Sequence, residues 1–484
     1  MSKDIQRNLL PLTARLREAM ELLDAGVSGA VFVVDSDGVM QGIFTDADVR
    51  RALLAGAQLE DESARWMNRK FTAGRASATH EDNLRLLSKS IRHLPILDDA
   101  GRPVEFLSWA EIWKLPVTQP SLGGNELKYV SDCIATSWIS SQGGYVTQFE
   151  QAFARFHDVP HALTVSNGTT ALHLALVALG IGPGDEVIVP DLTFAASANV
   201  VIHCGAKPVL ADVDARTWTL DPADFARKIT PRTKAVMPVH LYGHPCDMDP
   251  IMEVARLHRL FVVEDCAEAL GARYKGRLVG TFGDAGCFSF FANKVITTGE
   301  GGMVFTRDVA LHQRMNVLRD HGMEKGRRYW HIHPGFNYRM TNIQAAIGLA
   351  QMERIDFFLE RHREIARHYS ERLRGLPGIT LPPAESWAEN IYWLYSILID
   401  EARAGLTRDA LVRYLAEHGV ETRNLFYPLH IMPPYPHEGD LPVSTQLSAR
   451  GLSLPTSKDL EPAQIDRVCD AIAQALEARQ PAVT

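Results

Sequence analysis

The sequence predicts an α/β protein: a mostly parallel, doubly wound sheet, followed by a smaller α+β region and preceded by a separate α+β module. Three observations predict this architecture. Strand-like apolar runs alternate with helical stretches through the middle of the chain, which is typical of a parallel sheet covered by helices. Residues 1–115 use one shorter pattern twice, and residues 351–484 open within a long helical stretch and lose the alternation.

The composition is that of an ordinary globular protein. The chain has 484 residues, 46% of them hydrophobic and 22% charged, with a formal net charge of -8. No basic block suggests nucleic acid as a partner, and no apolar run suits a secretion signal or a membrane span. The six scattered cysteines indicate free thiols in a cytoplasmic protein. His331 and His333 lack a further ligand pattern, so no metal site is expected.

Two units of similar design make up residues 1–115. The first predicts a helix over 14–23, a strand over 30–35, a hairpin turn at Asp37 and Gly38, a strand over 39–44 and a helix over 46–55. The second predicts a helix near 83–91, a strand over 93–97, a turn at 99–101 and a strand over 104–107. Because the same order occurs twice, this part of the chain is an internal repeat.

The repeat resembles a CBS-domain pair. The residues that carry the resemblance are GIFTDAD at 42–48 and a degraded equivalent, LSWAE, at 107–111. The resemblance implies that Thr45 and Asp48 hold the ribose of a regulatory adenine nucleotide, since a hydroxyl and a carboxylate can accept hydrogen bonds from ribose hydroxyls. In the alternative interpretation, Thr45 only caps the helix that starts at Asp46.

A linker with two prolines, residues 114–120, separates this module from the rest of the chain. Beyond it we expect a large domain over 116–350 and a small domain over 351–484. The apolar pattern predicts strands over 161–165, 186–190, 234–240 and 260–264, and helices over 169–179, 250–258, 342–373 and 462–478.

Lys294 stands alone between an apolar run and a Thr/Gly-rich turn, in the segment 288–302. Partial burial of such a lysine disfavours its ammonium form and leaves a nucleophilic amine. A neutral amine can form a Schiff base with an aldehyde cofactor such as pyridoxal phosphate. A surface lysine before a turn is the alternative, but further segments supply the other parts of such a cofactor site.

Asp265 follows the strand 260–264, at the edge where ligands gather in open α/β sheets. An ionised aspartate there can keep a pyridine nitrogen protonated. Glu268 can reach the phenol oxygen of the cofactor, although both acidic residues can also serve as helix caps.

The segment 166–171 follows a strand and opens a helix, and the N–H groups of a helix N-terminus bind phosphate well. Its Gly168, Thr169 and Thr170, together with Ser289, are the candidate phosphate ligands. Phe194 can stack on the pyridine ring. Each of these motifs alone would also fit an ordinary helix cap or a core aromatic residue.

Together the segments resemble the sugar aminotransferases of the DegT/DnrJ/EryC1/StrS family, which belong to the fold-type I pyridoxal phosphate enzymes. The matching segments are 119–126, 137–141, 166–171, 193–194, 264–271, 289–302 and 335–346. The resemblance implies that Lys294 carries the cofactor and that Asp265 faces its ring nitrogen. It also implies that Asn337 reaches the phosphate of a neighbouring subunit, so that the active unit is a homodimer or a larger assembly.

Glu268 stands where many members have glutamine, and glutamate is familiar in the branch that acts on GDP-4-keto-6-deoxymannose. The segment 421–435 also resembles that branch. A dehydratase of the same branch has histidine in place of the lysine, so Lys294 favours transamination. The resemblance implies that glutamate donates an amino group to the C4 ketone of a nucleotide-linked 4-keto-6-deoxy sugar, preferably the GDP sugar. A UDP- or dTDP-linked sugar, or a nucleotide sensor with a vestigial cofactor site, are the alternatives.

Overall fold

The computed structural model describes residues 5–25, 29–79, 82–83, 86–87, 91–108, 115–435 and 439–478. The chain divides into two compact units, Met1–Leu115 and Pro116–Thr484. A division of the second unit at residue 350 stays a prediction. The start of the linker, residue 114, lies outside the described residues, as do parts of the helix expected near 83–91 and most of the LSWAE segment.

The first unit contains two small sheets of three strands each. Its elements are β1 (Leu9–Pro11), α1 (Leu16–Ala25), β2 (Ala30–Val34), β3 (Met40–Thr45), α2 (Asp46–Leu54), β4 (Gly74–Arg75), β5 (His93–Leu97) and β6 (Pro103–Ser108), with 3-10 turns at Ile5–Asn8 and Ser63–Arg65. In each sheet the first strand is parallel to the second, and the second is antiparallel to the third.

The two sheets also share the geometry of their turns. Gly38 and Gly101 both have a φ of 78°, a conformation that glycine adopts without steric cost. Phe32 of β2 packs against Phe106 of β6 with ring centroids 5.2 Å apart. The same strand order, pairing and turn glycine occur in both halves, so the predicted internal repeat is confirmed.

The second unit is built on a seven-stranded sheet with the order β7-β15-β14-β11-β10-β8-β9. Its strands are β7 (His161–Val165), β8 (Glu186–Pro190), β9 (Lys207–Ala211), β10 (Thr233–Val236), β11 (Phe261–Asp265), β14 (Ala285–Ser289) and β15 (Gly302–Thr306), with a hairpin of β12 (Arg273–Tyr274) and β13 (Arg277–Leu278) beside them. β15 alone is antiparallel to its two neighbours in this sheet. The mostly parallel, doubly wound sheet is therefore confirmed.

Helices connect and cover these strands, as the apolar pattern requires of a sheet buried on both faces. They are α3 (Glu126–Ala135), α4 (Gly144–His157), α5 (Gly168–Ala178), α6 (Ala196–His203), α7 (Pro222–Arg227), α8 (Met248–His258), α9 (Val309–Leu318), α10 (Asn342–Met352) and α11 (Ile355–Leu373), with a 3-10 turn at Leu241–Gly243.

The rest of the chain forms a second, smaller sheet with helices, which confirms the expected α+β region. Its strands β16 (Ile379–Thr380), β18 (Tyr395–Ile399), β20 (Gly451–Leu454) and β19 (Arg423–Asn424) pair in that order, and β17 (Ala388–Glu389) pairs with β12. The helices are α12 (Glu401–Ala404), α13 (Arg408–Glu417), α14 (Pro442–Arg450) and α15 (Pro462–Glu477), with a 3-10 turn at Leu429–Ile431.

Three predicted elements differ from the structure. Of the helix expected near 83–91, the described residues Leu86, Leu87 and Ile91 are not helical. The single helix expected over 342–373 is two helices, because Arg354 adopts φ -114° and ψ 14° and ends the regular turn. Tertiary contacts accompany the break: the Arg354 guanidinium lies 5.0 Å from the Phe357 ring, and Glu353 accepts a hydrogen bond from Tyr129 Oη at 2.6 Å. The strand expected over 234–240 ends at Val236, and beyond it Val239 forms only a single bridge to Asp265.

Candidate active site

A cavity of about 490 Å³ opens at the carboxyl edge of the large sheet. Asp265 is the last residue of β11 and Ser289 the last of β14, so the two neighbouring parallel strands deliver both side chains to the same edge. The predicted site residues that line the cavity are Gly168, Thr169, Phe194, Asp265, Glu268, Ser289 and Lys294. Segments separated by more than a hundred residues in sequence therefore meet in one place.

Lys294 lies in an irregular turn five residues beyond the end of β14. Its Nζ is 3.4 Å from Glu268 Oε1 and 3.7 Å from the centre of the Trp393 ring. Burial lowers the pKa of Lys294 below its ordinary value, and the carboxylates of Glu268 and Asp265 offset part of that effect. The side chain is thus a desolvated amine at the cavity wall, as the sequence predicted.

Asp265 is buried, and each of its two carboxylate oxygens accepts one hydrogen bond. Its Oδ2 accepts from Ser197 Oγ at 2.8 Å, and its Oδ1 accepts from the Ala267 N–H at 3.1 Å. Burial raises the pKa of Asp265, while these two donors favour its charged form. The bonds fix the orientation of a carboxylate that has no arginine or lysine partner within ion-pair distance among the described residues.

Glu268 connects Lys294 to the backbone on the other side of the cavity. Its Oε2 accepts from the Tyr242 N–H at 2.9 Å, while Oε1 faces the Lys294 amine. Burial raises the pKa of Glu268, and the nearby Lys294 opposes that shift. Glu268 is therefore an acid whose protonation is coupled to that of the lysine.

The N-terminus of α5 is shaped for close approach of a ligand to its backbone. Asn167 caps the helix by accepting from the Thr170 N–H at 2.9 Å. Among the described residues, nothing accepts from the N–H groups of Gly168 and Thr169. A Cβ built on Gly168 would lie 2.7 Å from the Cβ of Ser289, so only glycine leaves this space open.

Two predicted phosphate ligands lie elsewhere. Thr170 is absent from the cavity lining, and its hydroxyl instead accepts from the Asn167 N–H at 3.1 Å and donates to the Asn167 carbonyl at 2.8 Å. Asn337 is exposed and is also absent from the lining. Asn337 Oδ1 accepts from the Arg339 guanidinium at 3.5 Å, and a role of Asn337 in a neighbouring subunit stays a prediction.

Phe194 is an exposed aromatic residue at the cavity rather than a core residue. Its side chain is 59% exposed, and its ring lies 5.8 Å from that of Phe426. Phe426 in turn stacks on Tyr242 at 5.4 Å. The three rings form an aromatic wall that a planar ligand can contact.

Sequence reasoning missed several residues that complete the cavity. Trp393 covers the Lys294 amine, and Ser197 orients Asp265. Arg423 and Asn424 of β19 bring polar groups to the lining. They lie in the segment 421–435, whose resemblance to one branch of the family does not single them out. Ser197 lies three residues after Phe194, close to a matching segment, but Trp393 lies in an aromatic run that is typical of a core strand.

In the first unit, Thr45 and Asp48 bond mainly to each other. The Asp48 Oδ2 accepts from the Thr45 N–H at 2.9 Å and from Thr45 Oγ1 at 2.6 Å, while its Oδ1 pairs with Arg51. This is the arrangement of the helix-cap alternative. A role of the pair in ribose binding stays a prediction.

Among the described residues, His240, Glu264 and Cys266 are the group whose ligand atoms lie close enough to hold a metal ion. The Glu264 carboxylate, however, already accepts from the N–H groups of Gly280, Phe282 and Gly283 at 2.7 Å each. His240 Nε2 lies 3.1 Å from the same carboxylate. These contacts form a satisfied hydrogen-bond network around Glu264 of β11.

The donor set of the cavity fits pyridoxal phosphate. The open space at Gly168 and the two N–H groups of the helix N-terminus suit a phosphate. The buried carboxylate of Asp265 suits a protonated ring nitrogen, and the desolvated amine of Lys294 suits an aldehyde. The fold and the site thus define a pyridoxal phosphate-dependent aminotransferase.

Comparison with known proteins agrees with this class. The profile of the DegT/DnrJ/EryC1/StrS aminotransferase family matches residues 120–473, and the CBS domain profile matches residues 1–55. The chain belongs to the DegT/DnrJ/EryC1/StrS aminotransferase family. Within the described residues, no helix combines the length and apolar character needed to cross a membrane.

Three relatives define the neighbourhood. The GDP-perosamine synthase of Caulobacter vibrioides is 52% identical over 370 residues, which cover 76% of this chain and 100% of that protein. The GDP-perosamine synthase of Escherichia coli O157:H7 is 49% identical, covering 74% of this chain and 97% of its own. The PLP form of the sugar aminotransferase Spr1654 of Streptococcus pneumoniae superposes with a TM-score of 0.71, at 27% identity over 76% of this chain and all of that one.

Proposed function

We propose that the chain transfers an amino group from glutamate to the C4 ketone of GDP-4-keto-6-deoxymannose and so forms GDP-perosamine. Glutamate leaves as 2-oxoglutarate, whose keto oxygen comes from water, and the sugar ketone oxygen leaves as water, so no net water is formed. The observation that carries the reaction type is the convergence of Lys294, Asp265 and Glu268 on one cavity at the sheet edge. The full-length match to a GDP-perosamine synthase supports the choice of sugar and nucleotide.

Lys294 is the residue that attaches the cofactor and moves the proton. Pyridoxal phosphate, when bound, supplies an aldehyde that links covalently to amines and a ring that accepts an electron pair. The Lys294 amine is desolvated, and its lowered pKa makes the neutral, nucleophilic form accessible. The same amine would take the proton from the α carbon of glutamate and deliver it to the cofactor carbon that bears the nitrogen, as a positioned general base and acid.

The other lining residues bind and orient. Asp265, held by Ser197 and Ala267, would hold the ring nitrogen of the cofactor and keep it protonated. Glu268 would bind the phenol oxygen of the cofactor, and Phe194 would stack on its ring. The start of α5 would hold the phosphate through Gly168 and Thr169, together with Ser289.

The active unit is a homodimer in this proposal. Asn337 is exposed and lies outside the cavity of its own chain, so its amide is available to a phosphate in a neighbouring subunit. Sedimentation at the assay concentration is expected to show a dimer and no active monomer. An active monomer would remove Asn337 from the site.

The test of the proposal is a substrate panel. Purified enzyme with glutamate is expected to aminate GDP-4-keto-6-deoxymannose with a kcat/KM at least about a hundredfold above that for UDP- or dTDP-linked 4-keto sugars, equivalent to two hydrogen bonds to the base. Because the amino group waits on the enzyme between two half-reactions, initial rates should follow ping-pong kinetics. Equal turnover of a dTDP-linked sugar would favour the alternative in which the enzyme acts on UDP- or dTDP-linked keto sugars.

The second alternative, a nucleotide sensor with a vestigial site, makes a different prediction. An intact site gives a visible absorbance band when pyridoxal phosphate is bound, and glutamate removes that band. Persistence of the band after addition of glutamate would favour the sensor. The free, mostly buried cysteines also fit enzyme action in the reducing cytoplasm.

A further inference from the structure

The segment that carries Lys294 is held by side chains rather than by backbone ladders. Residues 292–296 form turns and bends outside any strand. Three successive carbonyls of this segment accept hydrogen bonds from side chains that come much later in the sequence. Trp393 Nε1 donates to the Asn293 carbonyl at 2.6 Å, and Lys458 Nζ donates to the carbonyls of Lys294 at 3.3 Å and Val295 at 2.8 Å.

Lys458 is an unusual donor for this purpose. It lies between β20 and α15, and only 5% of the residue is exposed. Among the described residues no carboxylate forms an ion pair with its Nζ. Its ammonium instead lies 4.8 Å from the centre of the Phe358 ring and on the two carbonyls. Burying a lysine without a paired carboxylate costs free energy. The two hydrogen bonds to backbone carbonyls therefore point to a specific role for this side chain.

The backbone around Lys458 is itself fixed. Its carbonyl accepts from Arg361 Nε at 3.0 Å, and the Thr456 hydroxyl donates to the carbonyl of Trp393 at 3.0 Å. The same short loop therefore anchors Trp393, whose ring covers the Lys294 amine, and supplies the donors for the Lys294 backbone.

We propose that Lys458 is a positioning residue for the Lys294 amine. Its two hydrogen bonds to consecutive carbonyls fix the backbone from which the Lys294 side chain leaves, and so set where that amine meets its reaction partner. The charged groups that face Lys458 are Asp459 and Arg354, and the titratable His362 beside it is neutral because burial lowers its pKa to about 3. Burial lowers the pKa of Lys458 to about 8. A neutral amine still has two N–H donors, so the contacts persist on both sides of that pH.

This inference rests on the proposed role of Lys294, and the experiment separates the two. In the wild-type holoenzyme, borohydride reduction followed by peptide mass mapping should place the trapped cofactor on Lys294. A label on another residue overturns the proposed function before Lys458 is considered.

The Lys458 test compares two ligands of the same cavity on the full-length, cofactor-free protein. Pyridoxal phosphate must react with the Lys294 amine, whereas pyridoxamine phosphate carries an amine in place of the aldehyde and binds without reacting. In Lys458→Met, the rate at which the visible band forms and the kcat should both fall by about ten- to a hundredfold, the scale of a small misplacement of a reacting group. Affinity for pyridoxamine phosphate and the KM for glutamate should change by less than about threefold, because a misplaced Lys294 amine impairs the reaction rather than binding.

Two variants complete the design. Lys458→Arg keeps donors for the carbonyls. Where Lys458→Met lowers a rate by more than about tenfold, Lys458→Arg should therefore restore at least about tenfold of that rate. Lys275→Met is the matched control, because Lys275 also contacts a ring and an acceptor, Tyr274 and Asp249, but lies outside the cavity. It should change none of these quantities.

The proposal fails if band formation and pyridoxamine phosphate affinity fall together, since that pattern shows general damage to the cavity. It also fails if neither changes in Lys458→Met. If neither Lys458 variant folds, the lysine is structural and the positioning role is overturned.

Discussion

The two units of this protein both carry short sequence motifs, but the structure uses the motifs differently. In the second unit, residues from α5, β11, β14 and the turn after it converge on one cavity. In the first unit, Thr45 and Asp48 are three residues apart and satisfy each other at the start of α2. Convergence of distant segments requires the whole fold, whereas a local pair can arise from helix capping alone. The first pattern is therefore far stronger evidence for a binding site.

Electrostatics separates the units in the same way. Burial shifts the pKa of Lys294 downward and the pKa values of Asp265 and Glu268 upward, and the three groups lie in one cavity. Such clusters of perturbed groups are typical of functional sites. Asp48 is buried as well, but its carboxylate bonds to Thr45 and to the mostly exposed Arg51 at the start of one helix. Substitutions in each unit test whether the two sets of residues differ in function.

The largest effect is expected for Lys294→Ala. One amine supplies both the covalent anchor and the proton transfer, so turnover should fall by at least about a thousandfold. The fold should persist, because the lysine makes few contacts beyond Glu268 and Trp393. Steady-state assays and thermal unfolding of the same preparation check both statements. Near wild-type turnover would refute the assignment.

Asp265→Asn should bind cofactor and then lose turnover by about a hundredfold or more, the scale of removing one preorganised electrostatic partner. A neutral amide cannot hold the ring nitrogen protonated. In the wild type, Ser197 and Ala267 donate to different carboxylate oxygens. The asparagine oxygen can keep the bond from the Ala267 N–H while its NH2 group donates to the Ser197 hydroxyl, so the orientation is kept. Single-turnover rates with glutamate measure the effect, and an unchanged kcat would contradict the role.

Glu268→Gln should change the pH dependence more than the rate. The carboxylate of Glu268 raises the pKa of Lys294 against the effect of burial. Without that charge the pKa of Lys294 falls further, so the neutral amine is present at lower pH. The midpoint of pyridoxal phosphate loading against pH should therefore move to lower pH. Turnover at the optimum should fall by no more than about tenfold, the equivalent of one hydrogen bond to a charged group. A midpoint that moves upward would exclude this coupling.

The sequence alone predicted the doubly wound sheet and the segments that meet at its edge, because apolar alternation and the residues at strand ends are local signals. It also predicted a desolvated Lys294. It could not predict Trp393 or Lys458, since both act through contacts with a segment about a hundred residues or more away. Thr170 shows the opposite case: its motif suggested a phosphate ligand, but bonds to Asn167 turn the hydroxyl toward the helix cap.

The smallest effects are expected in the first unit. The Caulobacter vibrioides relative is matched over its whole length by 76% of this chain, so we expect residues 116–484 to act as a catalytic unit without the first unit. A chain of residues 116–484 should therefore keep turnover within about threefold in the absence of nucleotide, less than the smallest typical coupling between sites. A larger loss would show that the first unit supports the catalytic one directly.

The first unit acts, in this view, only when a nucleotide binds it. A ligand changes activity only if it binds two enzyme conformations with different affinity, and typical couplings correspond to a five- to 150-fold change, or about 1–3 kcal/mol. Adenine nucleotides titrated against the full chain should change activity several-fold and leave residues 116–484 unaffected. Asp48→Ala removes the acceptor of the Thr45 hydroxyl and N–H and should abolish the response. The same change should lower the unfolding free energy by about 1 kcal/mol, the value of a helix cap. A loss of stability with an intact nucleotide response would leave Asp48 as a cap and nothing more, and would place the nucleotide elsewhere.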